Sequence, residues 1–162
     1  MSRLCIKNNR GFGMKYREIL LDLFDTDYSY ALAHFISADC KVGEGIAKEF
    51  KKNYPDMLQR VLFSNPKIGQ AISYHSKGRM IFNLITKQNH FQKATYDTFT
   101  SAIVGLKYRC EDLNIKKIAF PFLGADLDGL DWNEVKTIIQ NVFYQSDIEV
   151  LICKKTNMQL FV

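Results

Sequence analysis

Residues 31–50, ALAHFISADCKVGEGIAKEF, constrain the fold more than any other stretch of the chain. The apolar run Ala31-Leu32-Ala33-His34-Phe35-Ile36 is too short for a helix and suits a strand buried on both faces. Polar Ser37-Ala38-Asp39 follows, then Gly43-Glu44-Gly45. Beyond them Ile46, Ala47 and Phe50 recur at helical spacing among charged residues. A strand therefore runs through a glycine-bearing loop into a helix. In that geometry the unpaired first-turn N–H groups and the positive end of the helix dipole can face an anion. A plain turn made by Gly43 and Gly45 satisfies the same pattern, and the local pattern does not choose between the two.

A chain of 162 residues suits one domain with a sizeable core, and 47% hydrophobic residues with only 3 prolines argue against disorder. The net charge of +5 favours anionic ligands in general, but no block of five or more like charges marks a nucleic-acid footprint. The 4 cysteines and 3 histidines are scattered and contain no C-x-x-C pair, so a metal site is not expected. The start is unlike a signal peptide, and no apolar run reaches the about 18 residues of a membrane span. The expectation is an intracellular protein, cytoplasmic or nuclear, with reduced thiols and no membrane association.

Along the chain, a short strand is expected over residues 4–7 and a longer one over 17–24, interrupted by Asp22. Pro55 ends the helix that follows Gly45 and starts a second short one through Leu62. Residues 68–75 and 80–86 read as a hairpin turning at Ser76-Lys77-Gly78-Arg79. A helix is expected over 95–113, with Phe99, Ala102, Ile103, Leu106, Cys110 and Leu113 inward. A strand follows over 116–122. Asp131 then caps a helix whose inner stripe is Val135, Ile138, Ile139, Val142 and Phe143, with Glu134 placed for a capping box. Residues 148–153 form a last strand, and 154–162 are not placed. Alternating strands and helices imply an α/β protein, a three-layer α/β/α sandwich on a mixed, largely parallel sheet. Ligands of such sheets sit beyond the carboxyl ends of the strands. Three loops lie there, at residues 37–45, 87–93 and 123–130.

The order of LDLF (21–24), AHFISADCKVGEGIAKEFKK (33–52), NLITK (83–87), KATYDTF (93–99) and PFLGADLDGLDWNEV (121–135) resembles a macrodomain. Within that family it is similar to the terminal ADP-ribose protein glycohydrolase branch and to antitoxin macrodomains that remove ADP-ribose from DNA. The likeness spans residues 17–153, a single macrodomain. It implies an ADP-ribose cleft across the top of the sheet. Asp22, with Leu23 beside it, matches the family's strand-end aspartate, which accepts from the adenine amino group. Gly43, Gly45, Ile46 and Ala47 match a first loop near the diphosphate and distal ribose, and Ser37 matches a loop serine near that ribose, although a local cap suits it equally. Leu123, Gly124, Ala125, Asp126 and Leu127 match the second, phosphate-wrapping loop.

Two positions depart from the family pattern. Leu21 stands where a glycine is usual, and so does Asp126. A carboxylate about 4 Å from a diphosphate would repel it by on the order of 4 kcal/mol at an effective dielectric of about 20, so either Asp126 turns its side chain away or diphosphate binding is impaired.

In the glycohydrolase branch the lysine matching Lys87, which follows Thr86, attacks the anomeric carbon of the distal ribose. The aspartate matching Asp128 helps resolve the lysyl intermediate. A lysine at its reference pKa is almost wholly protonated near neutrality, so Asp128 must accept its proton as it reacts. The resemblance calls for no cofactor and no metal. It implies ADP-ribose and mono-ADP-ribosylated proteins as partners, acidic side chains as acceptors, deacylation of O-acyl-ADP-ribose as a second reaction, and a monomer. A reader without turnover, a phosphatase of ADP-ribose phosphate and a hydrolase of ADP-ribosylated DNA stay open. His34 reads as a core histidine, Trp132 as a packing residue, Cys40 as passive, and Lys48, Lys51 and Lys52 as a solvated helix face.

Overall fold

The computed structural model describes residues 15–43, 45–124 and 128–155. The expected strand at 4–7, most of the C-terminal tail, and Ala125, Asp126 and Leu127 lie outside those residues. In order, the elements are β1 (Lys15–Leu20), a 3-10 turn (Leu23–Asp25), β2 (Ala31–Ser37), α1 (Gly45–Asn53), α2 (Met57–Phe63), β3 (Ala71–Ser76) and β4 (Arg79–Lys87). Then come α3 (Tyr96–Asp112), β5 (Lys117–Pro121), α4 (Trp132–Phe143) and β6 (Glu149–Lys154).

The strands form one sheet in the order β1-β6-β5-β2-β4-β3, with every pair parallel except β3–β4. The hairpin turns at Lys77 and Gly78, both at positive φ (56° and 76°), the arrangement that matches the twist of paired strands. Side chains alternate across the sheet and fill two cores. On one face α3 and α4 bring Phe99, Ile103, Leu106, Val135, Ile139 and Phe143 onto Ala33, Phe82, Ile118 and Val150. On the other, Leu23, Phe50, Met57 and Val61 pack on Leu32, Ile36, Ile81 and Ala119. This is the three-layer α/β/α sandwich that the alternation of elements predicts.

The structure corrects several boundaries. The strand expected over 17–24 stops at Leu20, because the Asp22 carboxylate accepts the Phe24 amide at 2.9 Å and caps a 3-10 turn instead. The strand expected from Ile68 begins at Ala71, after Gly69 at φ 94°. Leu113 does not belong to the inner stripe of α3: it is the C-cap and 40% exposed. Asp131 caps α4 by accepting the Glu134 amide, as expected, but its own amide donates to Tyr96 Oη, so the capping box expected with Glu134 is not formed; Thr95 caps α3 in a capping box with Thr98.

Two buried polar side chains sit inside this frame. Arg79, 1% exposed, donates to the carbonyls of Thr26, Asp27 and Tyr30 and stacks on Tyr28, tying the β1–β2 connection to the head of β4. His34 is fully buried on β2, stacked on Phe50 with ring centroids 3.9 Å apart. Its Nε2 lies 2.7 Å from Asn83 Oδ1, while Nδ1 has no partner among the described residues. The expectation of a core histidine holds, with one nitrogen left unsatisfied. Burial pushes the His34 pKa down to about 4, and the bond to Asn83 only partly opposes this.

The unfolded chain therefore takes up this proton near pH 6.5, well before the folded one does, so stability falls as pH drops through that window. Between about pH 7.5 and about pH 5 the loss from this group is about 2 kcal/mol. Urea unfolding of His34→Gln, which keeps an amide facing Asn83 but cannot titrate, should lose that much less than the unaltered protein over the same range. Equal slopes for the two proteins would remove His34 as the cause.

Candidate active site

The carboxyl ends of five parallel strands lie along one edge of the sheet. From β1 across to β4 they present Asp22, Lys155, Leu123, Ser37 and Lys87 in turn. Four strand intervals at the usual spacing make this edge about 19 Å long. Between β2 and β5 the connections depart to opposite faces, β2 into α1 and β5 into α4, which opens a crevice at that point.

At one end, Asp22 has one oxygen on the Phe24 amide and the other 3.7 Å from Lys155 Nζ, which also lies 3.4 Å from Glu49 Oε1. The side chain stays partly exposed, so its outer oxygen can accept from a ligand. Leu23 is buried at 3% exposure and Thr86 likewise at 3%, so each offers the cleft only its backbone. Gly43 and Gly45 are exposed at the head of α1, with Ile46 and Ala47 half-buried behind them. Beside them runs a groove of about 610 Å³ lined by Val42, Gly43, Gly45, Lys48, Glu49, Lys51 and Lys52. The lysines read as a solvated face are exposed, and the same three line this groove. Leu123 and Gly124 are half-buried at the exit of β5, and Trp132 packs edge-on against Phe122 at 5.0 Å, as a packing residue would.

At the other end, Lys87 is the last residue of β4, and its Nζ donates to Asp128 Oδ2 at 3.0 Å and Oδ1 at 3.3 Å. The two residues, 41 apart in sequence, thus meet as the sequence reading requires. The ammonium side chain is only 18% exposed and the carboxylate 31%. Asp128 adopts φ 58°, a left-handed conformation that costs about 1 kcal/mol outside glycine and that aspartate tolerates better than most residues. Its Oδ2 also accepts the Ala94 amide at 3.0 Å, which anchors it to the segment entering α3. An amine held against a carboxylate at a strand end can give up its proton to that carboxylate while attacking an electrophilic carbon.

Next to this pair the β2–β4 ladder shifts register between Ile36 and Ser37, bringing Ser37 opposite Lys87. Ser37 is 2% exposed and its hydroxyl donates to Asp39 Oδ1 at 2.6 Å, the local-cap role that the sequence left open. Burial pushes the Asp39 carboxyl up, but hydrogen bonds from Ser37, His90 and Lys41 outweigh it and hold the group well below the usual carboxylate range. Burial and the neighbouring Asp39 charge push the Cys40 thiol up to about 11, so it is not a ready nucleophile. The sequence reading gave no site role to Asp39 or His90 and read Arg79 only as part of the hairpin turn, whereas it opens β4. The Ser-x-Asp turn after a strand was a usable signal for Asp39, whereas His90 approaches from 51 residues away with no local mark.

The Macro domain family model matches residues 34–139. ADP-ribose glycohydrolase OARD1 of Bos taurus is 32% identical over 145 residues, covering 90% of this chain and 95% of that protein. A DNA ADP-ribosyl glycohydrolase of Thermus aquaticus is 30% identical over 118 residues, covering 68% of this chain and 33% of that protein. The solved macrodomain of Thermus aquaticus DarG superposes with a TM-score of 0.77 at 27% identity, covering 87% of this chain and 99% of that one. The chain belongs to the Macro domain family.

The two loop glycines differ in what they require of the fold. A Cβ at Gly43 would meet nothing within 4 Å, whereas Gly45 stands at φ 73°. Gly43→Ala should leave the urea midpoint unchanged or slightly raised, and Gly45→Ala should cost about 1 kcal/mol. Equal losses in the two variants would contradict this division.

Proposed function

We propose that the chain is an ADP-ribosyl hydrolase that removes mono-ADP-ribose from acidic side chains of proteins. The observation that carries this reading is the Lys87–Asp128 pair, 3.0 Å apart at the carboxyl end of β4. The kinship with proteins named ADP-ribose glycohydrolase supports the hydrolase class. An edge about 19 Å long, from the Asp22 carboxylate to the Lys87 amine, suits an extended adenosine diphosphate carrying a second ribose.

In this mechanism the adenine lies at Asp22, the diphosphate along the loops at Gly43–Gly45 and Leu123–Gly124, and the distal ribose at Lys87. Asp128 takes the proton from the Lys87 ammonium, and the freed amine attacks the anomeric carbon. A C–N bond forms as the C–O bond to the acceptor breaks, and the acceptor leaves as a carboxylate. Asp128 gives the lysine's proton up to solvent, takes one from an incoming water as that water displaces the lysine from the anomeric carbon, and returns it to the released amine, freeing ADP-ribose and restoring the ion pair. An O-acyl ester of ADP-ribose presents the same ribose carbons to the same amine. A nucleic-acid acceptor is the second reading, favoured by Lys48, Lys51 and Lys52 along the groove beside Gly43 and by the relative named as acting on DNA.

Lys87→Arg keeps a cation facing Asp128 but removes the nucleophile, because a guanidinium stays protonated. It should lower release of ADP-ribose from Glu/Asp-modified protein by about a thousandfold or more, while calorimetry finds ADP-ribose affinity within about fivefold of the unaltered protein. Turnover surviving in Lys87→Arg and in Lys87→Ala would refute the lysine mechanism. Tight binding without turnover by the unaltered protein would instead make the chain a reader. Activity confined to modified DNA, falling steeply with salt, would move the acceptor to nucleic acid.

A further inference from the structure

Asp39 stands one turn beyond β2 and gathers four donors onto one carboxylate. Oδ1 accepts from Ser37 Oγ at 2.6 Å and from the Lys41 amide at 3.1 Å. Oδ2 accepts from the His90 amide at 3.0 Å, and His90 Nδ1 lies 2.9 Å away. Since a carboxylate only accepts, this ring nitrogen carries its proton. The first two donors belong to the segment that leads from β2 to the glycine loop. The other two belong to the segment that leaves Lys87 for α3. Two backbone bonds run parallel to this link, from the Ala38 amide to the Lys87 carbonyl at 2.9 Å and from the Asp39 amide to the Gln88 carbonyl at 3.2 Å.

The β2 exit is anchored by buried Ala38 and by Cys40 and Val42 packed on the core, whereas the β4 exit has no buried apolar side chain over residues 88–93: His90 is exposed, and so is Phe91, at 74%. The β4 exit is therefore held against the anchored β2 exit by polar contacts, and the charged acceptor in the middle is the strongest of them. We propose that Asp39, with His90, is a positioning clamp for Lys87, holding the exits of β2 and β4 as one unit so that the amine stays aligned over the distal end of the cleft. The inference rests on the reading of Lys87 as nucleophile. The carboxylate does not touch the reacting atoms; it acts through the backbone on either side of Lys87. Asparagine replaces it poorly, because whichever way its amide turns, the nitrogen faces a backbone N–H that cannot accept, that of Lys41 or that of His90. Glutamine in place of His90, by contrast, still offers a side-chain donor within reach.

The experiment measures kcat, KM, unfolding midpoint and amide exchange for Asp39→Asn, His90→Ala and His90→Gln. Asp39→Asn should lower kcat about tenfold or more with KM within about threefold, and His90→Ala should lower it about threefold to tenfold. His90→Gln should recover most of that loss. The double variant Asp39→Asn/His90→Ala should be no worse than Asp39→Asn alone, since both break the same clamp. In His90→Ala the Lys41 amide, on the opposite segment, should exchange about fivefold faster or more. A purely structural role would lower the midpoint and leave kcat of the folded protein unchanged, and that result overturns the proposal. If the unaltered protein shows no turnover, the hydrolase reading fails on its own. The clamp is then judged by exchange, and an unchanged Lys41 amide in His90→Ala overturns it.

Discussion

Strand β2 lies between β5 and β4 with Ala31 to His34 wholly buried, so its backbone groups have no water to pair with and must be satisfied by the two parallel neighbours. Parallel neighbours cannot be joined by tight turns, so each connection is a crossover that lays a helix on one face of the sheet. The chain leaves β2 by one face and returns through β5 to leave by the other. The crevice at their carboxyl ends is a consequence of that reversal. Glycine loop, Ser37 and Lys87 all stand on the edge that this arrangement exposes.

The chemistry proposed for that edge depends on charge placed where water is scarce. Lys87 and Asp128 are each less than one-third exposed, which strengthens their interaction relative to a solvated surface pair. The carboxylate reaches the lysine only because residue 128 accepts a left-handed backbone and because the Ala94 amide holds it there. The strain at Asp128 and the fourfold coordination of Asp39 flank the same lysine from two sides. Both are devices for fixing a flexible amine by hydrogen bonds to its surroundings.

Much of this was legible from residue order, for physical reasons that differ by element. The apolar β2 run, the α3 stripe from Phe99 to Cys110 and the Asp131 cap follow from periodicity and local hydrogen-bonding chemistry, which act within a few residues. The pairing of Lys87 with Asp128 came through the family likeness, and the strand-and-loop pattern put both at the correct end of the sheet. What periodicity could not show was competition between local and tertiary bonds. Asp22 interrupts an apolar run that otherwise reads as strand, and only its bond to the Phe24 amide ends β1 early. The Asp39–His90 contact and the Arg79 clamp on Thr26, Asp27 and Tyr30 join residues 49 to 53 positions apart, for which a single sequence carries no signal. The role of Ser37 was open between ribose contact and local cap, and a bond to Asp39 two residues on favours the cap.

The nucleophilic role of Lys87 is tested most directly by trapping its adduct. A protein chain mono-ADP-ribosylated on glutamate is mixed with enzyme, quenched with borohydride within one turnover, digested and sequenced by mass spectrometry. Attack by the amine on the anomeric carbon gives a glycosylamine in equilibrium with its ring-opened imine, which borohydride reduces, so a stable ADP-ribosyl adduct is predicted on the peptide containing Lys87, absent when Lys87 is replaced by alanine. Full turnover with no adduct on that peptide at any quench time, or an adduct carried by another side chain, would contradict it.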